Sequence, residues 1–149
     1  MKVNGWRLYA YSEFLNQLER LNKQVETFAK KDPTGYMQKS EAKILAAILK
    51  LVCTEIPADP AHPKFKLGKT LGGGNTHWYR AKFYQQFRLF FRFDSRAKII
   101  VYAWVNDSNS KRAYESKNDA YIVFQKMLKQ NRPPSDWDDL IKSSAPFRD

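Results

Sequence analysis

The spacing of apolar residues changes twice along this chain, from a helical period to a period of two and back, and this order is the strongest constraint on the fold. Between Ser12 and Lys30 the apolar residues recur every three or four positions, as they do on one face of an amphipathic helix. A second helix is predicted from Pro33 to about Thr54, because proline is tolerated at the first helical position. The first third therefore predicts two antiparallel helices joined by a short connection.

The middle third has the pattern of a sheet. Apolar and polar residues alternate over 78–84 and over 87–93, and 99–105 is a continuous apolar run, which is typical of a strand buried on both faces. The connections between these segments are short, which favours a meander of about three antiparallel strands. Helical spacing returns at 119–130, and a capping-box pattern at Ser135 and Asp138 predicts one more short helix.

These elements predict an α+β fold in which an N-terminal helical hairpin packs on one face of an antiparallel sheet of three to four strands, with C-terminal helices. A length of 149 residues favours a single domain, residues 1–149. No apolar run is long enough for a membrane span or a secretory leader, so we expect a soluble, cytoplasmic protein. The single cysteine, Cys53, excludes an intramolecular disulfide and a zinc cluster of several cysteines.

Positive charge is concentrated in the middle of the chain. The formal net charge is +11, and residues 62–112 contain eleven Lys and Arg against two Asp and Glu, whereas the segments on either side are nearly balanced. Such a block indicates an anionic partner, and nucleic acid is one class that fits. A solubilising surface or a docking site for an acidic protein is an alternative interpretation.

Strand alternation would place basic and aromatic side chains together on one surface, if the apolar faces of both strands meet the helices. These residues are Trp78, Arg80, Lys82 and Tyr84 on one strand and Arg88, Phe90 and Arg92 on the next. Cations bind phosphates and exposed aromatic rings stack on unpaired bases, so this surface suits single-stranded nucleic acid. The alternative is the solvated polar face of a half-buried sheet.

A nuclease site on this surface would not depend on a metal ion. The basic segment offers only Asp94 and Asp107 as carboxylate ligands, which disfavours a two-metal site. RNA carries its own nucleophile, the 2′-hydroxyl, so its cleavage needs a base, an acid and cations around the phosphorus. The candidate cations are Arg80, Lys82, Arg88 and Arg112, and Tyr114 is a candidate for proton transfer. His62 and His77 are an alternative acid–base pair, although a histidine in such a loop is more often an ordinary surface residue.

Several short motifs occur in a fixed order along most of the chain. They are VNGW at 3–6, PKFKLGKTLGGG at 63–74, WYRAKF at 78–83, FRLFFRF at 87–93, WVND at 104–107, RAY at 112–114, DAYIVFQKML at 119–128 and PPSDW at 133–137. In this combination the chain resembles the YhaV toxins of bacterial type II toxin–antitoxin systems, in the RelE/ParE superfamily.

The resemblance implies a compact RelE-like fold and an endoribonuclease that cleaves messenger RNA on the translating ribosome, with no metal ion or other cofactor. It also implies a cognate antitoxin of the AbrB/PrlF swapped-hairpin type. The alternative within the superfamily is a toxin without nuclease activity, either a nucleic-acid-binding protein or a ParE-like inhibitor of gyrase, because the shared fold does not fix the activity.

The resemblance also assigns roles to individual residues. The catalytic residues that it implies are Arg80, Lys82, Arg88, Arg112 and Tyr114. Lys111 or Tyr121 could instead fill the roles given to the last two. Further RNA contacts are expected from Lys66, Lys69, Trp78, Tyr84, Arg92 and Lys111. The turn at Gln85-Gln86 lacks the glycine expected there, and a register slip of one residue would turn Arg88 to the opposite face.

Overall fold

The computed structural model describes residues 1–107 and 119–148. Its strands are β1 (Lys2–Val3), β2 (Trp6–Tyr11), β3 (Tyr79–Phe83), β4 (Phe87–Asp94), β5 (Ile99–Val105) and β6 (Ser144–Pro146). Its helices are α1 (Ser12–Lys31), α2 (Ser40–Lys50), α3 (Ile56–Ala58), α4 (Ala120–Lys129) and α5 (Trp137–Lys142). None of the helices in these two ranges is long and apolar enough to span a membrane. The predicted α+β class is confirmed.

α1 and α2 pack against each other as the predicted helical hairpin, but the second helix begins later than its pattern indicates. α1 ends where the backbone N–H of Asp32 donates to the carbonyl oxygen of Phe28 at 2.8 Å. The Asp32 carboxylate then accepts the N–H of Gly35 at 3.0 Å, which closes a turn instead of opening a helix at Pro33. α2 therefore begins at Ser40, and it continues through one π-helical turn into α3.

The sheet is mixed and larger than predicted. Its strand order is β1-β2-β5-β4-β3 with β6 also paired to β2, and β2 runs parallel to β5 while the other pairs are antiparallel. The prediction of an antiparallel sheet of three to four strands is therefore wrong. The sequence pattern does not predict β2, because this strand lies inside the sheet, where burial does not alternate cleanly between neighbouring residues. β2 also runs directly into α1, without a connecting segment that would mark its end. β1 and β6 are too short to show a period.

Helices cover both faces of the sheet, whereas the sequence pattern predicts one covered face. α1 and α2 pack on the first face around Leu8, Phe14 and Ile48. α4 and α5 cover the second face, where Phe124 stacks on Phe90 with the ring centroids 4.2 Å apart. Much of the surface that the sequence predicts to be open is therefore a second apolar core.

The β3–β4 hairpin has the register that its alternation predicts. Lys82 pairs directly with Arg88, and Arg80 lies two residues from Lys82 on the same face, so no slip occurs at the turn. Tyr84 and Gln85 replace the expected glycine by taking left-handed backbone conformations, with φ of 45° and 59°. Such conformations are unfavourable for residues other than glycine, so this turn needs support from its surroundings.

Candidate catalytic site

Two arginine side chains from neighbouring strands meet on one phenol oxygen. The Nε atoms of Arg80 on β3 and Arg88 on β4 each donate a hydrogen bond of 3.0 Å to the hydroxyl oxygen of Tyr121 on α4. The guanidinium carbon of Arg88 also lies 5.9 Å from the centroid of the Tyr121 ring. We call Arg80, Arg88 and Tyr121 the arginine–tyrosine cluster. It joins two strands and a helix at one point.

The first turn of α4 fixes the position of Tyr121. The side chain of Asp119 caps this helix by accepting the backbone N–H of Tyr121 at 3.2 Å. The Tyr121 ring meets Phe90 edge to face, with the centroids 5.8 Å apart, and the residue is only 8% exposed. Because Tyr121 and Phe124 are three residues apart on one helix, the contacts that bury Phe124 also hold Tyr121 against the sheet.

Arg88 is buried in the arginine–tyrosine cluster. It is 7% exposed, so the expectation that it lies on an open surface is wrong. Its Nη1 atom donates to the carbonyl oxygens of Gln85 at 2.7 Å and Phe87 at 2.9 Å, which hold the guanidinium against the hairpin turn. The burial results from α4, which covers this face of β4, and the turn supplies the acceptors that a buried arginine requires.

Arg80 fastens the irregular segment before β3 to the sheet. Its Nη1 atom donates to the carbonyl oxygens of Lys64 at 3.2 Å and Lys66 at 2.9 Å, and Lys66 also forms an isolated bridge with Tyr79. These bonds bring the backbone of two exposed lysines next to the cluster. Sequence reasoning overlooked Lys64, because its place depends on a bond to a strand residue 16 positions later.

The hydrogen-bond acceptors around the cluster are neutral. Among the residues that the structure describes, Arg80 and Arg88 bond to carbonyl and phenol oxygens, and neither guanidinium pairs with a carboxylate. Neutral acceptors orient a guanidinium without cancelling its charge, so the cluster can receive an anion such as a phosphate. Lys82, which is exposed, adds a cation opposite Arg88. Within 1–107 and 119–148, no group of three His, Cys, Asp or Glu side chains could hold a metal ion.

Some predicted catalytic residues fall outside the part of the chain that the structure describes. They are Arg112 and Tyr114, and Lys111 lies there too. Tyr121, the alternative to Tyr114, contacts both strand arginines. The sequence signal for it is weak and consists of its helical spacing from Phe124, which places both rings on one face of α4.

The residues expected to bind RNA lie in different environments. Lys66 and Lys69 are exposed, and Tyr84 is 56% exposed at the hairpin turn. Trp78 is 0% exposed, so the prediction that its ring is open for stacking is wrong, as it also is for Phe90. The physical reason is α4, which packs on both rings.

Arg92 is held in a packing contact rather than on an open surface. Its guanidinium lies between two indole rings, 5.5 Å from the centroid of Trp78 and 5.2 Å from that of Trp137. Its Nη1 atom donates to the carbonyl oxygen of Ser135 at 2.8 Å, and burial lowers the pKa of Arg92. These contacts tie β4 to the segment that precedes α5.

His62 and His77 occupy separate environments. The Nδ1 atom of His62 accepts the backbone N–H of Lys64 at 3.0 Å and caps a short 3₁₀ turn. His77 lies beside Trp78, with its Nε2 atom buried and without a hydrogen-bond partner in the described residues. Burial lowers the pKa of His77, and the positive charge of Arg92 lowers it further. No contact joins the two histidine rings within the described ranges, so their pairing as acid and base gains no support.

Comparisons with known proteins identify a family of toxins with nuclease activity. A family model described as a toxin with endonuclease activity, of a toxin–antitoxin system, matches residues 8–145; it is the model of the YhaV toxins. The ribonuclease toxin YhaV of Escherichia coli strain K12 is 43% identical over 145 residues, which cover 96% of this chain and 94% of that protein. The toxin YhaV of Escherichia coli O157:H7 matches with the same identity and coverage. No solved structure matches the chain significantly.

Proposed function

This chain belongs to the YhaV family of toxins with endonuclease activity, and we propose that it cuts messenger RNA on the translating ribosome at the arginine–tyrosine cluster, without a metal ion. The relative from strain K12 is named a ribonuclease, which supports RNA as the substrate. Cutting messages stops translation and therefore growth. The function is that of the toxic component of a toxin–antitoxin system.

The observation that carries this proposal is the meeting of Arg80 and Arg88 on the hydroxyl of Tyr121. When RNA is cleaved, negative charge builds up on the oxygens bound to phosphorus in the transition state. Cations that are already oriented lower the barrier, since they need not rearrange when that charge develops. The second terminal nitrogen of each guanidinium, Nη2, bonds to no described residue, and we assign it to a phosphate oxygen.

The proposed reaction uses the RNA itself as nucleophile. The 2′-oxygen loses its proton to a water molecule or hydroxide from solvent and attacks the adjacent phosphorus, while the bond between phosphorus and the 5′-oxygen breaks and the 5′-oxygen takes up a proton. The products are a 2′,3′-cyclic phosphate and a 5′-hydroxyl end. The Tyr121 hydroxyl oxygen accepts a bond from each arginine, and we propose that this hydroxyl gives its proton to the departing 5′-oxygen. Arg112 and Tyr114 stay predictions for additional roles at this site.

Exposed residues near the cluster would hold the RNA strand. Lys82 stands beside Arg88, and the segment tied down by Arg80 carries the exposed lysines Lys64 and Lys66. Tyr84 offers a ring that is 56% exposed at the hairpin turn, and its hydroxyl donates to the Lys43 carbonyl oxygen of α2 at 3.3 Å, so a base stacked on it would lie on the α2 side of the turn. Phosphate contacts and one stacking ring suit a single strand better than a duplex.

The antitoxin is proposed to mask these same cations. A toxin of a toxin–antitoxin system has a cognate antitoxin. On the resemblance described above, we assign this antitoxin to the AbrB/PrlF swapped-hairpin type. An acidic antitoxin segment in the RNA path would associate quickly through complementary charge and would exclude the substrate. In the alternative mode that the RelE resemblance leaves open, the antitoxin would wrap the helices and displace the C-terminal helix without touching the basic surface.

The α+β arrangement is proposed to be RelE-like, with residues 1–149 as one domain. The support is that the helical hairpin α1–α2 and the helices α4 and α5 pack on opposite faces of one sheet. Both cores share strands β4 and β5, which joins the two halves.

Mapping of RNA ends tests the proposed reaction. The wild-type chain is incubated with a defined message, either free or engaged by translating ribosomes, and the new ends are sequenced and chemically typed. We expect cuts on ribosome-bound message with 2′,3′-cyclic phosphate and 5′-hydroxyl ends, and any cutting of free RNA should persist in EDTA. Ends with a 3′-hydroxyl, or cutting that stops on chelation and returns with manganese, would contradict the metal-free reaction.

Removal of one hydroxyl tests the role of Tyr121. Tyr121→Phe keeps the ring against Phe90 and should cut about 10²–10⁴-fold more slowly. The variant should also unfold at a lower temperature, because Nε of Arg80 and Nε of Arg88 lose their shared acceptor, so circular dichroism must first establish that it is folded. Tyr36→Phe, in the connection between α1 and α2, is the matched control and should cut like the wild type. Equal rates for Tyr121→Phe and the wild type would remove the hydroxyl from the mechanism. Intact RNA with the wild-type chain would contradict the nuclease activity itself.

A further inference from the structure

Asn106 is a buried polar residue with no part in the proposed reaction steps. It directly follows β5 and is 2% exposed. Its Oδ1 atom accepts the backbone N–H of Arg88 at 2.6 Å, and its Nδ2 atom donates to the carbonyl oxygen of Gln86 at 2.9 Å. The side-chain amide thus extends the bonding between β5 and β4 beyond the last strand residue. A buried amide that is bonded at both ends fixes one arrangement of its neighbours.

The turn that Asn106 holds is also the turn that orients the Arg88 guanidinium. The Gln85 carbonyl oxygen accepts a bond from Arg88 Nη1 at 2.7 Å, and both Tyr84 and Gln85 have positive φ. A turn of this shape without glycine requires outside support, which the bond from Asn106 to Gln86 supplies. Asn106 therefore acts on Arg88 directly at its backbone N–H, and indirectly by holding Gln86, the residue next to the Gln85 carbonyl that accepts from Nη1.

We propose that Asn106 is a positioning residue for RNA cleavage, which holds Arg88 so that Nε reaches Tyr121 and Nη2 remains directed to the phosphate. The inference rests on the proposed function, because Arg88 is catalytic only if RNA is cut at the arginine–tyrosine cluster. Asn106 acts through Arg88 and needs no contact with RNA. A shift of Arg88 by about 1 Å is enough to slow such a reaction by about a hundredfold.

Gln17 on α1 provides a matched control. Its side-chain amide holds the same end of β5, through bonds to the carbonyl oxygen of Val105 at 2.6 Å and to the N–H of Val105 at 3.1 Å. Among the described residues its hydrogen bonds reach neither Arg88 nor the hairpin turn. Gln17→Ala therefore loosens the strand end without removing the support of Arg88.

The test is a double-mutant cycle with Asn106→Ala, Arg88→Ala and the combined variant, measured as single-turnover cleavage rate and as RNA affinity. We expect Asn106→Ala to cut about 10–100-fold more slowly with an unchanged dissociation constant for RNA. In the Arg88→Ala background, Asn106→Ala should cause no further loss, because the residue through which it acts is gone. Gln17→Ala should cut at the wild-type rate.

Several results would overturn the positioning role. The first is a wild-type cleavage rate for Asn106→Ala. The second is a further loss of rate from Asn106→Ala in the Arg88→Ala background that equals its loss in the wild-type background. The third is a loss of rate for Gln17→Ala as large as the loss for Asn106→Ala. If Asn106→Ala does not fold, Asn106→Asp keeps the size of the side chain and the acceptor for the Arg88 N–H but repels the Gln86 carbonyl oxygen. The same slow cleavage is expected, and a wild-type rate would refute the inference.

The same set of variants separates this inference from the proposed function. Arg88→Ala cutting at the wild-type rate would refute the catalytic cluster, and the role of Asn106 with it. An inactive Arg88→Ala together with a fully active Asn106→Ala would refute the positioning role alone.

Discussion

Lys82 lies directly opposite Arg88 across the β3–β4 ladder, and the first residue is exposed while the second is buried. Paired residues on neighbouring strands share a face, so the two cations stand side by side at different depths. Salt and water screen the charge of Lys82, whereas the charge of Arg88 acts in surroundings of lower dielectric constant. Replacing Lys82 should therefore affect a different property of the protein from replacing Arg88.

Arg88→Ala should lower the cleavage rate by about 10²–10³-fold, because it removes a pre-oriented charge from the transition state. The variant should also unfold at a lower temperature, since the bonds from Nη1 to two turn carbonyls are lost. Single-turnover cleavage measures the rate, and circular dichroism establishes that the variant is folded. A folded variant as active as the wild type would exclude Arg88 from the site.

Lys82→Ala should weaken RNA binding while leaving the rate at saturating RNA nearly unchanged, because the exposure of Lys82 favours a phosphate contact over the catalytic role that the resemblance implies. The slope of log affinity against log salt should become shallower by about 0.7, the value for one contact on a single strand. Binding titrations over a range of salt measure this slope. Lys30→Ala, in the last turn of α1, is the control and should leave it unchanged. An unaltered slope for Lys82→Ala would mean that Lys82 touches no phosphate.

His77 should make the protein less stable in acid. Its pKa in the folded chain lies below the ordinary value of 6.5, chiefly because of burial, so the unfolded chain binds the proton more readily. The free energy of unfolding should therefore fall as the pH drops below about 6.5. Thermal unfolding at about pH 5 and pH 7.5 should show a smaller difference for His77→Gln than for the wild type or for His62→Gln. The same pH dependence in all three chains would speak against this role.

The antitoxin should cover at least two of Arg80, Lys82, Arg88 and Arg112. Association should slow steeply as salt rises, since exposed charges are screened beyond about 8–10 Å at physiological ionic strength. Single charge reversals to Glu at these four positions, each checked for folding, followed by affinity measurement with the cognate antitoxin, test the expectation. Wild-type affinity for all four variants would favour the mode in which the antitoxin wraps the helices.

The sequence predicts the strand cations and their register better than it predicts what surrounds them. Alternation places Arg80, Lys82 and Arg88 on one face, because the register of a hairpin depends on residues close together in the chain. That α4 covers this face depends on contacts between distant residues. The amphipathic pattern of α4 predicts a helix with one apolar side, but it does not specify which surface that side meets.

The predictions that the structure contradicts share this cause. Trp78 and Phe90 are buried because the rings of α4 reach them, which no local pattern reveals. β2 is missed because its partner β5 and its second neighbour β6 come late in the chain. Tyr121 is predicted only as an alternative to Tyr114, because its hydrogen bond with Arg88 joins residues 33 positions apart in the chain.

Arg80 and Tyr121 are separated by 41 residues in the chain, which delays assembly of the cluster during synthesis. A ribosome that adds about 5–20 residues per second needs about 2–8 s to move from one to the other. For all but the first eight residues of that interval, the nascent chain carries both hairpin arginines but lacks the hydroxyl on which they converge. The nascent chain therefore cannot complete its arginine–tyrosine cluster until α4 has been made. Until then, the message that encodes this toxin is translated in the presence of a nascent chain whose cluster is incomplete.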